Sequence, residues 1–294
     1  MAPRKKPPFA QNVLALIYDF DGTLTPQPMQ EYTVLPELGL DPQEFWDEVG
    51  RQVKATGGDQ ILTYMRLLIE KIEANKKHLS REALRSLARD IEYFKGVEEW
   101  FARINKYVKA KSKGEVEVRH YIISAGLDEI LAGISIRDHF TRIYASQYFF
   151  DHHEVARFPT IAINDTGKTQ YLFKINKGRE GLGESINDYM PETARPIPFE
   201  HMLYIGDGMT DVPCMTVTKK YGGFAIAVHK PDDDKTVATC RELADANRID
   251  YFAPADYRAG QLLEQRVHSI LDLIVARILF ERERFDFRSS QGLA

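Results

Sequence analysis

Cysteine is nearly absent from this 294-residue chain, which has only Cys214 and Cys240. Two isolated thiols make neither a disulfide framework nor a zinc-ligand spacing, so stability must come from a packed core, and a reducing cytoplasm is the compartment that fits. An excess of charge of one sign is also lacking. The 39 basic and 43 acidic residues give a formal net charge of −4, so no global field draws in nucleic acid. The one local basic run, Arg4-Lys5-Lys6-Pro7-Pro8, is short and proline-rich and is expected to be a disordered tail. Long hydrophobic runs are missing too. Nothing approaches the roughly 18 apolar residues of a membrane span. The run from Val13 to Tyr18 ends in acids, which argues against a cleaved signal peptide.

What is present is concentrated in residues 13–25, Val-Leu-Ala-Leu-Ile-Tyr-Asp-Phe-Asp-Gly-Thr-Leu-Thr. A continuous apolar run without alternation predicts a strand buried on both faces of a parallel sheet. It stops at Asp19, then Asp21, then Gly22. Two carboxylates at the carboxyl end of a buried strand are costly unless a cation or proton compensates them, and that end is where open α/β sheets bind ligands. Thr23 and Thr25 add hydroxyls beside any bound anion. A calcium loop of the EF-hand kind does not fit, because the glycine falls fourth and the twelfth residue is Gln30.

Further along, Asp41-Pro42-x-Glu44, Asp59 and Ser80 read as helix starts, and residues 27–97 contain helical periodicity and no strand. Tyr121-Ile122-Ile123 predicts a second buried strand ending at Ser124, with a short helix over 127–131 and a short strand over 142–145. Residues 147–164, with His152-His153-Glu154, read as an irregular excursion or a β-ribbon, and the histidine pair is weighed as loop rather than metal site. Residues 165–168 open a helix to about residue 176. Apolar strands follow at 201–205 and 224–228, with a last one at 251–252. An amphipathic helix over 259–285 closes the chain. Met202, Met209 and Met215 read as core packing. Alternating strands and helices predict an α/β fold with a doubly wound parallel sheet, Rossmann-like.

Four polar clusters fall at element ends in order: Asp19 with Asp21, Ser124 with Ala125, a lysine near 168, and Gly206-Asp207-x-x-x-Asp211. This set resembles the motifs of the haloacid dehalogenase-like superfamily, whose first motif is Asp-x-Asp-x-Thr and whose last is Gly-Asp-x-x-x-Asp. The resemblance spans residues 13–25 and about 94–252. It implies a phosphatase with Asp19 as nucleophile and Asp21 as general acid/base. Thr23, Ser124, Ala125 and a lysine would hold the phosphoryl group, and Mg²⁺ would sit among Asp19, Asp21, Asp207 and Asp211. Lys168, Lys174 and Lys177 lie on one helix but cannot all face the site. In the phosphoserine-phosphatase-like branch the lysine opens the helix, which favours Lys168 over Lys174. Dehalogenases lack the second Asp, and transport ATPases carry Thr there with many membrane spans.

The resemblance further implies a type 1 helical cap over 27–97, inserted into a core of 1–26 and 98–294, hinged near Pro26–Pro28 and Lys95-Gly96 and selecting a small phosphorylated metabolite. Phosphoserine-specific members start Asp-x-Asp-Ser-Thr, and Gly22 stands where that Ser would be. A phosphotransferase would use the same residues. A catalytically silent binding module on this fold would be signalled by a missing acid, and none is missing.

Overall fold

The computed structural model describes residues 9–77 and 79–293. The basic run Arg4–Pro8 lies outside them. Seven strands form one sheet: β1 Val13–Tyr18, β2 Glu117–Leu127, β3 Phe140–Phe150, β4 Ala156–Ile161, β5 Met202–Gly206, β6 Phe224–His229 and β7 Tyr251–Pro254. Their order is β4-β3-β2-β1-β5-β6-β7, all parallel except β4. All six residues of β1 are buried, because β2 and β5 flank it and helices cover both faces. That is why its sequence is apolar without alternation.

Alternation still sorts its side chains. Leu14, Leu16 and Tyr18 join the layer under helices Val97–Lys111 and Leu262–Ser290, while Val13, Ala15 and Ile17 join the layer under helices Thr169–Lys177, Val212–Lys220 and Asp234–Asp245. From β1 the chain reaches β2 on one side and later β5 on the other. The switch point of the sheet therefore falls at the carboxyl end of β1, where Asp19 N–H donates to Ile205 O at 2.9 Å.

Residues 27–97 hold helices Met29–Tyr32, Val34–Glu37, Pro42–Thr56, Gln60–Ala74 and Arg81–Leu87, and no strand among the described residues. The three helix starts carry working caps. Asp41 accepts from Glu44 N–H, Asp59 from Ile61 and Leu62 N–H, and Ser80 from Ala83 N–H. Gly96 has φ +83°, and a Cβ there would collide with the backbone of Arg258. Glycine is required at this point by the close approach of two chains, which Tyr257 N–H seals by donating to Lys95 O at 2.9 Å.

The region after β2 differs from expectation. β2 does not stop at Ser124 but runs to Leu127, and the strand expected over 142–145 is the eleven-residue β3. A register shift between Ile123 and Leu127 lets β2 keep pairing with β3 while Ser124 stays at the rim. The helix expected over 127–131 is one turn, Asp128–Leu131. Residues 147–164 form an antiparallel ribbon, β3 with β4, turned at 151–155 by the Asp151 carboxylate accepting from His153 and Val155 N–H. His152 and His153 lie in that exposed turn. The ribbon backs the helical block: Tyr148 OH donates to Met65 O at 2.8 Å, and the Arg81 guanidinium sits 4.4 Å from the Phe150 ring centre. The closing helix runs over Leu262–Ser290, later at both ends than the expected 259–285. Met202 and Met215 are buried, but Met209 is 57% exposed.

Glu129 anchors the ribbon from below, accepting Tyr148 N–H at 2.9 Å while its Oε2 has no hydrogen-bond partner. Burial pushes its carboxyl up from 4.5 to about 7, and Asp128 adds to this against the partial relief of Arg81. The native state therefore binds this proton more tightly than the unfolded chain. The stabilisation is complete below the unfolded value and is lost as pH rises through about 7. Glu129→Gln, which keeps the acceptor, is expected to gain stability over wild type between pH 5 and pH 8 by up to about 3 kcal/mol. Urea titrations of both proteins at the two pH values measure this, and parallel pH dependence would contradict it.

Candidate active site

The tight exit from β1 builds the site. Gly22 has φ +79°, and a Cβ on it would overlap Asp207 Oδ2, so only glycine lets the loops after β1 and β5 close on each other. Leu24 N–H donates to Phe20 O at 2.8 Å, which turns the chain back and leaves Asp19 and Asp21 at the rim. Asp21 Oδ1 accepts from Met29 N–H at 2.8 Å. Thr23 is fully buried, and its Oγ1 has no hydrogen-bond partner. The Thr25 hydroxyl is engaged, donating to Gln27 O at 2.9 Å. Ser124 Oγ accepts from Gly126 N–H at 2.9 Å, so it shapes the turn that presents Ala125 and Gly126 to the cavity.

Of the three lysines, the fold brings Lys168 to Asp19. Its Nζ donates to Asp19 Oδ1 at 2.7 Å and Asp211 Oδ1 at 2.8 Å, and the residue is 1% exposed. Lys168 immediately precedes helix Thr169–Lys177, so its position is fixed by the helix start. Lys174 donates instead to Gly181 and Glu184 carbonyls, and Lys177 to those of Ile186 and Asp188. Both hold the irregular segment 178–198 against the core.

Asp211 is fully buried and accepts three hydrogen bonds in all: from Lys168, from Tyr204 OH at 2.7 Å, and through Oδ2 from Asp207 N–H at 3.1 Å. Tyr204 was invisible to sequence reasoning, since a tyrosine inside an apolar strand looks like core. Tyr257, whose OH donates to Thr23 O at 2.7 Å, was equally hidden.

Four carboxylates thus share one ammonium. Burial pushes Asp19 up to about 7, reinforced by Asp211 and opposed by Lys168. Asp21 is pushed up to about 8 by burial and by Asp19, against the Met29 N–H. Asp207 is raised well above the carboxylate range by burial and by Asp211. Burial pulls Lys168 down, but Asp19 and Asp211 outweigh it and hold the ammonium charged. This surplus of negative charge is what a divalent cation neutralises, and Asp19, Asp207 and Asp211 offer ligand oxygens within 4.8 Å of one another. The Asp21 carboxylate, expected in the metal set, is not part of that group. Because Asp211 is already hydrogen-bonded on both oxygens, Asp19 and Asp207 are the residues left with capacity for a hard cation, with Asp211 bracing them.

Above these acids lies a cavity of about 610 Å³. Its floor is Asp19, Asp21, Lys168 and Asp207, and its far wall is Gln30, Glu31, Trp46, Asp59 and Tyr64 from the helical block. Beside the cavity, the bonds that join the helical block to the core include Tyr64 OH to Ala125 O at 2.8 Å and Asn164 Nδ2 to Asp59 Oδ2 at 2.9 Å.

Acids ordered along the carboxyl edge of a doubly wound sheet define an α/β protein whose candidate site lies at the switch point of the sheet. Residues 16–216 match the family model described as haloacid dehalogenase-like hydrolase, and the protein belongs to that family. It is 28% identical over 283 residues to an uncharacterized protein of Borreliella burgdorferi, an alignment covering 86% of this chain and 94% of that one. Among solved structures it resembles a phosphoserine phosphatase caught as a phospho-aspartyl intermediate analogue, with TM-score 0.54, 17% identity, and coverage of 87% of this chain and 98% of the other. It also resembles a probable phosphoserine phosphatase from Vibrio cholerae, with TM-score 0.56, 13% identity, and coverage of 92% and 68%. At such identities these likenesses speak for the fold.

Proposed function

We propose that the protein is a cytoplasmic, Mg²⁺-dependent phosphomonoesterase that acts on a small phosphorylated metabolite through an aspartyl-phosphate on Asp19. The observation that carries this reading is the Lys168 ammonium bridging Asp19 and Asp211 on the floor of the cavity. Asp19, oriented by Lys168, attacks phosphorus in line. The bond from phosphorus to the alcohol oxygen breaks, and the Asp21 carboxyl gives that oxygen its proton. Water then attacks the aspartyl-phosphate and passes a proton to the Asp21 carboxylate, which restores Asp19 and releases phosphate. Lys168 and the backbone N–H of Ala125 offset charge on the transferring oxygens. A cation held by Asp19 and Asp207 would supply the remaining positive charge, which is the chemistry Mg²⁺ brings to phosphoryl groups.

In the same reading residues 27–97 are the cap, whose wall selects the alcohol. A cytoplasmic setting agrees with the two cysteines being free and buried, and among the described residues no helix is long and apolar enough to cross a membrane. A panel of phosphorylated metabolites, assayed for phosphate release with and without Mg²⁺, tests the reading, and turnover undiminished in excess chelator would overturn it.

Asp21→Asn is expected to lower kcat by about 10²–10⁴ while metal affinity changes little. The reason is that the Asp21 carboxylate stands outside the Asp19–Asp207–Asp211 group and is held by Met29 N–H. Steady-state kinetics with Mg²⁺ titration measures both quantities. A kcat equal to wild type would assign the proton transfer elsewhere.

A further inference from the structure

Resting on the phosphatase reading, we infer that the alcohol released by this enzyme carries a primary ammonium group and no carboxylate. The far wall of the cavity is acidic and aromatic. Glu31 Oε1 accepts from Trp46 Nε1–H at 2.9 Å, which fixes the carboxylate at the wall, and among the described residues no basic side chain pairs with it. Asp59 supplies a second carboxylate from the start of helix Gln60–Ala74. Among the described residues the only basic one lining the cavity is Lys168, and its Nζ is already engaged by Asp19 and Asp211. A substrate whose alcohol bore a carboxylate would meet the like charge of Glu31 and no free cation, whereas an ammonium there would meet an opposite charge. Asp59 adds to the negative field of the wall, although its oxygens are taken by Ile61, Leu62 and Asn164.

A second observation points the same way. Gln30 lines the cavity, is 2% exposed, and has no hydrogen-bond partner on Oε1. A buried acceptor left empty is costly, so the wall is built for a donor that arrives with the substrate. An –NH₃⁺ group brings three such donors and no acceptor, which matches one amide oxygen and the Glu31 carboxylate together. The Trp46 and Tyr64 rings, 5.8 Å apart and inclined at 67°, form a corner whose faces also favour a cation. A trimethylammonium group would enjoy the rings but leave Gln30 Oε1 unpaired.

The test compares four esters that share the phosphoryl group: 2-aminoethyl phosphate, its N-trimethyl form, propyl phosphate, and phosphoserine. With Mg²⁺ present, kcat/KM for 2-aminoethyl phosphate is expected to exceed each of the others at least tenfold. Glu31→Gln keeps the acceptor for Trp46 and removes the charge. It is expected to reduce the ratio of 2-aminoethyl to propyl phosphate at least tenfold, chiefly through KM, whereas a merely structural loss would depress all four esters alike. Equal turnover of the four esters by wild type, or preference for the trimethyl ester or phosphoserine, overturns the inference even if the Gln variant does not fold. Failure of wild type to hydrolyse all four and p-nitrophenyl phosphate as well would overturn the phosphatase reading instead.

Discussion

Asp19→Asn is expected to lower phosphate release by about 10⁴-fold or more, the scale on which loss of a nucleophile acts. The amide has the shape of the carboxylate but cannot attack phosphorus at a useful rate, and neither neighbour can take its place. Asp21 is turned toward Met29 N–H, and Asp211 is wholly buried with both oxygens hydrogen-bonded. The substitution should spare the fold, because two effects oppose each other. Lys168 loses one of its two carboxylate partners but keeps Asp211 at 2.8 Å. Meanwhile the crowd of buried carboxylates falls from Asp19, Asp21, Asp207 and Asp211 to three, which relieves repulsion that pushes Asp21 and Asp207 upward. Phosphate release measured beside a thermal melt separates chemistry from folding. A folded Asn variant with wild-type turnover would remove Asp19 from the nucleophile's role.

How much of this was legible in the sequence depends on whether the signal was local. Val13–Tyr18 was readable to the residue because burial on both faces forces an unbroken apolar run and the rim forces it to stop at Asp19. The caps at Asp41, Asp59 and Ser80 were readable because a side chain that closes its own helix acts within three residues. The β3–β4 ribbon was only half readable. Its strands are held by each other and by Tyr148 reaching Met65, a partner 83 residues away, and no local pattern records that. The cavity wall was not readable at all. Gln30, Glu31, Trp46 and Asp59 look like ordinary residues of surface helices, and only the folding of the block over β1 turns them inward. Gly22 shows the intermediate case: a tight turn was evident from its type, but its closeness to Asp207 depends on β5 lying beside β1.

Lys168→Ala is expected to remove activity and Lys174→Ala to spare it, although the two lysines lie six residues apart on one segment. Both are nearly buried, at 1% and 5% exposure, so burial alone does not distinguish them; their partners do. Lys168 faces two carboxylates at 2.7 and 2.8 Å, and deleting it leaves Asp19 and Asp211 as uncompensated buried charges. Breaking a buried pair in this way costs about 3–5 kcal/mol, so the variant should also melt lower. Lys174 faces only carbonyls, those of Gly181 and Glu184, and its loss should loosen segment 178–198 at about 1–3 kcal/mol with kcat close to wild type. Lys168→Arg adds a control: it retains the positive charge but must fit a planar fork into a site shaped for a compact ammonium, so stability should recover further than activity. Kinetics and melts on the three variants read both axes. Full turnover in a folded Lys168→Ala protein, or its loss in Lys174→Ala, would place the phosphoryl-binding lysine one or two turns further along the helix, and the helix start would then have no part in the chemistry.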